Sequence, residues 1–160
     1  MPKVLVAYDS HGGNTRKLAE ALARTLEAEG CSVSLEKIAE GTVDKLKDVD
    51  GVLLGSPCYF GNMSATAKSF LDQSIKFFGA GELVGKPAGV FCSTGGIGGM
   101  GELALLSLLT GLLIHGMVAQ GLRKGGHVGP LAIGEPDERV LGECEVYAKQ
   151  FAALVKKLAA

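Results

Sequence analysis

An α/β fold built on a doubly wound, five-stranded parallel sheet is predicted by three features of this 160-residue sequence. Apolar runs of strand length alternate with helix-length amphipathic segments in the order β-α-β-(α)-β-α-β-α-β-α. The runs are continuously apolar, as in strands covered on both faces, rather than alternating. The first of them, Val4-Leu5-Val6-Ala7-Tyr8, runs through Asp9 into the small polar turn Ser10-His11-Gly12-Gly13, which opens a helix near Asn14. Right-handed crossovers then favour the strand order 2-1-3-4-5 in a three-layer αβα arrangement, with residues 1–160 as one domain.

Each element has its own signal. Residues 3–8 form a buried strand. Residues 14–29 form a helix with Leu18, Leu22 and Leu26 on one face and Gly30 as its stop. Residues 32–38 alternate imperfectly through Val33, Leu35 and Ile38, as in a half-exposed edge strand. Residues 42–48 read as a short helical turn or loop. Val52-Leu53-Leu54 is the third strand, and Pro57 turns the chain because proline cannot continue a central strand. Residues 64–78 read as one helix with Ala67, Phe70, Leu71, Ser74, Ile75 and Phe78 inward. Residues 87–93 form a buried strand, 102–114 a helix buried nearly all round, and 117–122 the fifth strand, with a possible extension at 131–133. The last helix spans 135–158, with Pro136 in its first turn.

Composition excludes several functions. Hydrophobic residues make up 47% and the net charge is −1, so a sizeable core is expected and no nucleic-acid partner. Residues 103–122 carry no charge and approach spanning length. Ser107, Thr110, His115 and Gln120 interrupt them, which suits a buried helix and strand and no membrane. Cys31, Cys58, Cys92 and Cys144 are dispersed without a CxxC pair, so no metal site is expected and reduced thiols in the cytoplasm are. No secretory signal is read at the amino end.

In a sheet of this order, ligands bind beyond the carboxyl ends of the strands at the switch in strand order. Three loops lie there, following strands 1, 3 and 4. The first is an anion cradle: unpaired N–H groups and about half a positive charge sit at the helix start. An ordinary helix cap would use the same residues. The second, Pro57 to Asn62, supplies the aromatics Tyr59 and Phe60, which could equally be core or interface residues. The third, Ser93 to Gly101, is flexible and polar. Together they suit a planar heterocycle bearing one phosphate. Gly96-Ile97-Gly98-Gly99-Met100-Gly101 matches GxGxxG, but residues 103–134 hold no Asp or Glu for a ribose, which excludes a dinucleotide fold. A Walker lysine, a cluster of receiver carboxylates and a catalytic triad are absent as motifs. Cys58 has no apparent partner and reads as structural.

The first loop with its helix, Gly55-Ser56-Pro57-Cys58-Tyr59-Phe60-Gly61-Asn62-Met63 and Phe91-Cys92-Ser93-Thr94-Gly95-Gly96 resemble flavodoxin-like FMN proteins. They resemble most the WrbA-type NAD(P)H:quinone oxidoreductases and the NADPH-dependent FMN reductases. The likeness continues through Leu113-Ile114-His115-Gly116-Met117-Val118 and Gly125-Gly126. It implies a flavodoxin-like fold and non-covalent FMN. Ser10, His11, Gly12, Gly13, Asn14 and Thr15 would hold the phosphate. Pro57, Cys58, Tyr59, Phe60, Gly61 and Asn62 would border the ring, and Ser93, Thr94, Gly95, Gly96, Ile97, Gly98 and Gly99 its pyrimidine side. His115 would meet nicotinamide or quinone, or be a core histidine. The implied reaction is hydride transfer from NAD(P)H through the flavin to a quinone-like acceptor, in a homodimer or homotetramer. The chain departs from the family in being shorter after strand 2 and after Gly121, where Arg123-Lys124 replace a Pro-Tyr segment. Residues 51–71 and 83–101 contain no acid. That favours two-electron chemistry over a one-electron carrier working with a protein partner, which remains the alternative; a non-enzymatic flavin-binding protein is a third reading.

Overall fold

The computed structural model describes residues 1–159. The elements are β1 (Lys3–Tyr8), α1 (Asn14–Ala28), β2 (Ser32–Lys37), β3 (Gly51–Tyr59), β4 (Asn62–Met63), α2 (Ala65–Gln73), β5 (Pro87–Thr94), α3 (Gly101–Ile114), β6 (Val118–Ala119), β7 (Leu131–Ile133) and α4 (Glu138–Leu158). Turns of 3₁₀ helix occupy Thr42–Asp48 and Ser74–Phe77. The spatial order β2-β1-β3-β5-β6 is the predicted doubly wound one, and all four pairings along it are parallel.

Period-two alternation divides the strands between two cores. Val4, Val6, Leu53 and Phe91 face α1 and α4, where Leu18, Leu22, Leu26, Tyr147, Phe151 and Val155 complete one cluster. Leu5, Ala7, Val52, Leu54, Val90 and Cys92 face α2 and α3, with Phe70, Leu108 and Leu112. Gly55 is required where the two central strands meet. A Cβ there would lie 2.1 Å from the Phe91 ring, so the absent side chain is the space the ring fills.

Four expectations are corrected. First, β3 does not turn at Pro57 but runs on to Tyr59. Pro57 shares the side of Gly55, whose carbonyl accepts from Asp9 N–H as β1 ends, so its missing N–H faces no strand. Second, the helix expected over 64–78 changes to 3₁₀ at Ser74. The tighter turn brings Phe77 inward and leaves Ile75 and Phe78 72% and 50% exposed. Third, α3 is not buried all round: Ala104, Leu105, Leu108 and Leu112 face the sheet, while Leu103, Leu106, Leu113 and Ile114 are exposed. Fourth, Pro136 precedes α4; Asp137 caps that helix by accepting from Val140 N–H at 2.9 Å.

The fifth strand is also split. β6 pairs with β5 only at Pro87 and Ala88, and β7 resumes the ladder at Cys92 to Thr94. Val90 N–H faces the gap between them. The Tyr147 hydroxyl fills it, accepting at 3.1 Å from α4, and Gly89 leaves room for that hydroxyl, which would sit 2.4 Å from a Cβ. Burial pushes the Tyr147 phenol up to about 12. Tyr147→Phe therefore leaves a buried N–H unpaired. We expect a loss of about 1–3 kcal/mol in urea unfolding, with no change in the circular dichroism of the folded state.

Candidate functional site

Three strand ends and two helix starts converge at the carboxyl edge of the sheet. After β1 the chain turns through Ser10 to Gly13 into α1. Gly13 is the N-cap, in the left-handed conformation with φ 96°, and has no side chain to offer a cap bond. Arg16 N–H reaches Ser10 Oγ at 3.3 Å, and Lys17 N–H is the first to bond within the helix, to Gly13 O at 3.0 Å. The amides of Asn14 and Thr15 are left facing outward at the positive end of the helix dipole. Ser10 Oγ thus takes up one of the helix-start amides, Arg16 N–H, while the N-cap residue itself, Gly13, contributes no side chain.

The second loop is a tight hairpin. Tyr59 pairs with Asn62 and Cys58 with Met63, so β4 folds back on β3. Phe60 and Gly61 make the turn with φ 51° and 75°, and this pair of positive φ values suits the twist of the strands. Phe60 bears the strain of that conformation and projects its ring wholly into solvent, 109% exposed. Ser64 then caps α2 by accepting from Ala67 N–H. The third loop follows β5. Gly99 N–H closes on Gly96 O at 3.1 Å, and a Cβ on Gly99 would lie 2.0 Å from Thr94 Oγ1. Met100 starts α3 with φ 64° and, like Gly13, no side-chain cap.

Side chains tie the three loops together. Thr15 Oγ1 and Ser93 Oγ, both buried, lie 2.7 Å apart and join the first to the third. The His11 ring meets Tyr59 edge-on at 5.8 Å, joining the first to the second. Cys58 Sγ donates to Gly99 O at 3.0 Å, joining the second to the third. Ser10, His11, Gly12, Gly13, Asn14, Thr15, Pro57 to Asn62 and Ser93 to Gly99 are therefore one contiguous surface.

His115 is not part of it. It lies at the far end of α3, about 20 Å of helix from Gly101. Its Nε2 donates to Ser74 Oγ at 2.7 Å, because that hydroxyl is itself spent on Leu71 O at 2.6 Å. Nδ1 is buried and unpaired, and the ring meets Phe78 edge-on. Helix direction separates it: α3 starts at the site and runs away. His115 lines a groove of about 1080 Å³ between α2 and α3, with Leu71, Ile75, Phe78 and Thr110. Among the described residues no cluster could hold a metal ion, and no helix is long and apolar enough to cross a membrane. Burial pushes the Cys92 and Cys144 thiols up to about 12, so neither is a nucleophile. One residue of this surface was missed from the sequence. Asp9, 2% exposed, ends β1 directly before the first turn, and its Oδ2 has no partner. An acid immediately after a buried strand was the available signal.

The sequence profile of the flavodoxin domain matches residues 5–96. The chain belongs to the flavodoxin family. A flavodoxin from Aquifex aeolicus is 38% identical over 85% of this chain and 77% of its own. An NAD(P)H dehydrogenase (quinone) from Archaeoglobus fulgidus is 31% identical over 99% of this chain and 100% of its own. The crystal structure of a flavodoxin, WrbA-like protein from Agrobacterium tumefaciens superposes with a TM-score of 0.84 at 24% identity, over 98% and 99% of the two chains. That last likeness shows the fold. Membership in the flavodoxin family implies FMN, and the surface fits it: two uncapped amide clusters suit anionic groups, and the exposed Tyr59 and Phe60 suit a planar ring.

His115 gives the flavodoxin-family chain an acid-sensitive point. Burial holds its imidazole below the usual value, so the unfolded chain binds the proton more readily. The stabilising difference is present above about pH 6.5 and is lost as pH falls. His115→Gln, which can still donate to Ser74, should flatten the fall in melting temperature between pH 7 and pH 5.5; an unchanged profile would place the acid sensitivity elsewhere.

Proposed function

We propose that this protein is an FMN-dependent oxidoreductase that takes reducing equivalents from NAD(P)H and delivers them to a quinone-like acceptor. The observation that carries the reading is the uncapped start of α1 set against the Tyr59–Asn62 hairpin and the Ser93–Gly99 loop. Ser10 to Thr15 would hold the phosphate with backbone amides and the Ser10 and Thr15 hydroxyls. Tyr59 and Phe60 would border the ring, and the amides of Thr94 to Gly99 would face its pyrimidine edge. FMN bound there would supply hydride acceptance and return, chemistry that side chains lack. The chain's own work is to hold ring and substrate in register, which accounts for much of the rate in such transfers. Phe60, Ile97 and Met100 are exposed around the surface and leave its face open to a second planar molecule. His115 lines the same groove as Asn62 of the hairpin, whose Oδ1 accepts from Ser107 Oγ midway along α3.

Two facts support a reductase. Segments 51–71 and 83–101 carry no Asp or Glu, so little charge there would oppose a negative, two-electron-reduced ring. The Archaeoglobus relative that spans the whole chain is named as a quinone dehydrogenase. One observation favours the alternative, an electron carrier for a protein partner. Asp9 brings a buried carboxyl close to Tyr59, whose phenol it helps to push up. Leu103, Leu106, Leu113 and Ile114 leave α3 an apolar outer face, which supports self-association as a homodimer or homotetramer.

Purified protein should be yellow, and anaerobic rapid mixing with NADH or NADPH should bleach it. A flavin that stays oxidised with both donors rules out the reductase. Gly12→Glu tests the anchor, since nothing lies within 4 Å of a Cβ at Gly12. The variant should melt within about 1 °C of the flavin-free parent yet emerge colourless; a yellow Gly12→Glu protein defeats the phosphate assignment. Light scattering after size exclusion should give at least a dimer, and Leu106→Glu should shift it to monomer.

A further inference from the structure

Among the described residues of the three-loop surface, Asp9 alone has a buried side-chain atom without a hydrogen-bond partner. Its backbone N–H is engaged, donating to Gly55 O at 3.1 Å as β1 gives way to the turn. Its side chain is 97% buried, and Oδ2 has no hydrogen-bond partner. The approach of His11 does not satisfy it. His11 Nε2 stands 3.6 Å from Oδ2, beyond hydrogen-bond range, on a side chain that is 66% exposed. The cations of the first turn of α1 are committed elsewhere, Arg16 to Glu20 and Lys17 to Glu135. A carboxylate accepts and does not donate, and burying one without a donor is costly. The site is thus built for a donor that the polypeptide does not supply.

Its position says which donor. Asp9 directly precedes the turn proposed to hold the phosphate. It also lies near the hairpin, since His11, whose Nε2 stands 3.6 Å from Asp9 Oδ2, meets the Tyr59 ring edge-on with centroids 5.8 Å apart. A ligand with its phosphate on the first loop and its ring on the second passes its connecting chain between them. The geometry points to Asp9 as the acceptor for a hydroxyl of the polyol chain that links phosphate to ring in the bound nucleotide. The inference rests on the FMN reading and deepens it. A bare phosphate gains nothing from this carboxylate and is repelled by it; a polyol phosphate gains a charged hydrogen bond. Asp9 is in this sense a selectivity residue, favouring a hydroxylated phosphate ester over free anions.

Four probes separate the possibilities: FMN, riboflavin, lumiflavin (the ring without the chain) and inorganic phosphate. Each is titrated by fluorescence or calorimetry into flavin-free wild type, Asp9→Ala and Asp9→Asn at pH 7.5. Asp9→Ala should weaken riboflavin about ten- to a hundredfold, the range for a hydrogen bond to a charged acceptor, and FMN by that factor or less, because its phosphate also loses a repulsion. Lumiflavin should be unchanged, and phosphate unchanged or tighter. Asp9→Asn, which keeps an acceptor oxygen without the charge, should fall between. It also carries the test if Asp9→Ala does not fold. Riboflavin affinity within twofold of wild type in both variants overturns the inference, as does equal weakening of all four probes, which would mark a structural role. A wild type that binds no flavin removes the FMN reading and this inference with it. A wild type that binds FMN while Asp9→Ala is neutral removes the inference alone.

Discussion

A parallel sheet covered on both faces can meet water only at its strand ends, and that constraint organises this protein. Val4 to Ala7 and Val52 to Leu54 are fully buried. Their side chains serve the α1–α4 core and the α2–α3 core in turn, so no polar side chain fits within them. Polarity appears toward the carboxyl ends of the strands. Asp9 and Ser10 follow Tyr8, Ser56 follows Gly55, and Ser93 and Thr94 close β5. Because the strands are parallel and in register, these ends fall at one edge. The helices that return from them begin there too, which places their positive ends beside one another.

The same constraint explains why the site is made of backbone. Gly13 and Met100 take left-handed conformations at the starts of α1 and α3, and neither supplies a cap. Phe60 and Gly61 do likewise in the hairpin. These conformations turn amides outward and bring the three loops within side-chain reach through Thr15–Ser93, His11–Tyr59 and Cys58–Gly99. An anion cradle built this way needs no lysine, consistent with the absence of a Walker motif. Its buried exception, Asp9, is conspicuous because its Oδ2 has no hydrogen-bond partner.

Away from that edge, the structure departs from an ideal five-stranded sheet at its last strand. The break between β6 and β7 would leave Val90 N–H stranded, and the Tyr147 hydroxyl from α4 takes the place of a missing carbonyl. On the opposite face, α2 with its 3₁₀ turn and α3 border a groove in which Leu71, Ile75, Phe78 and Ile114 stand beside the polar Thr110 and His115. His115 and the first and third loops belong to opposite ends of α3, while Asn62 of the hairpin borders the same groove as His115.

The sequence by itself determined the strand order, the boundaries of β1 and α1, and the three loops. Continuous apolar runs, the Leu18-Leu22-Leu26 stripe and glycine-rich turns are local signals, and parallel topology follows from them. Only the tertiary structure decided the rest. Whether Pro57 breaks β3 depends on where β1 ends. Whether Phe77 or Phe78 is buried depends on a 3₁₀ turn, and whether α3 is covered depends on which neighbours exist. Whether Asp9 is an ordinary surface acid or a buried acceptor depends on the hairpin and turn that close over it. Each of these is a relation between distant segments, and residue spacing along one segment does not encode what another segment brings to it.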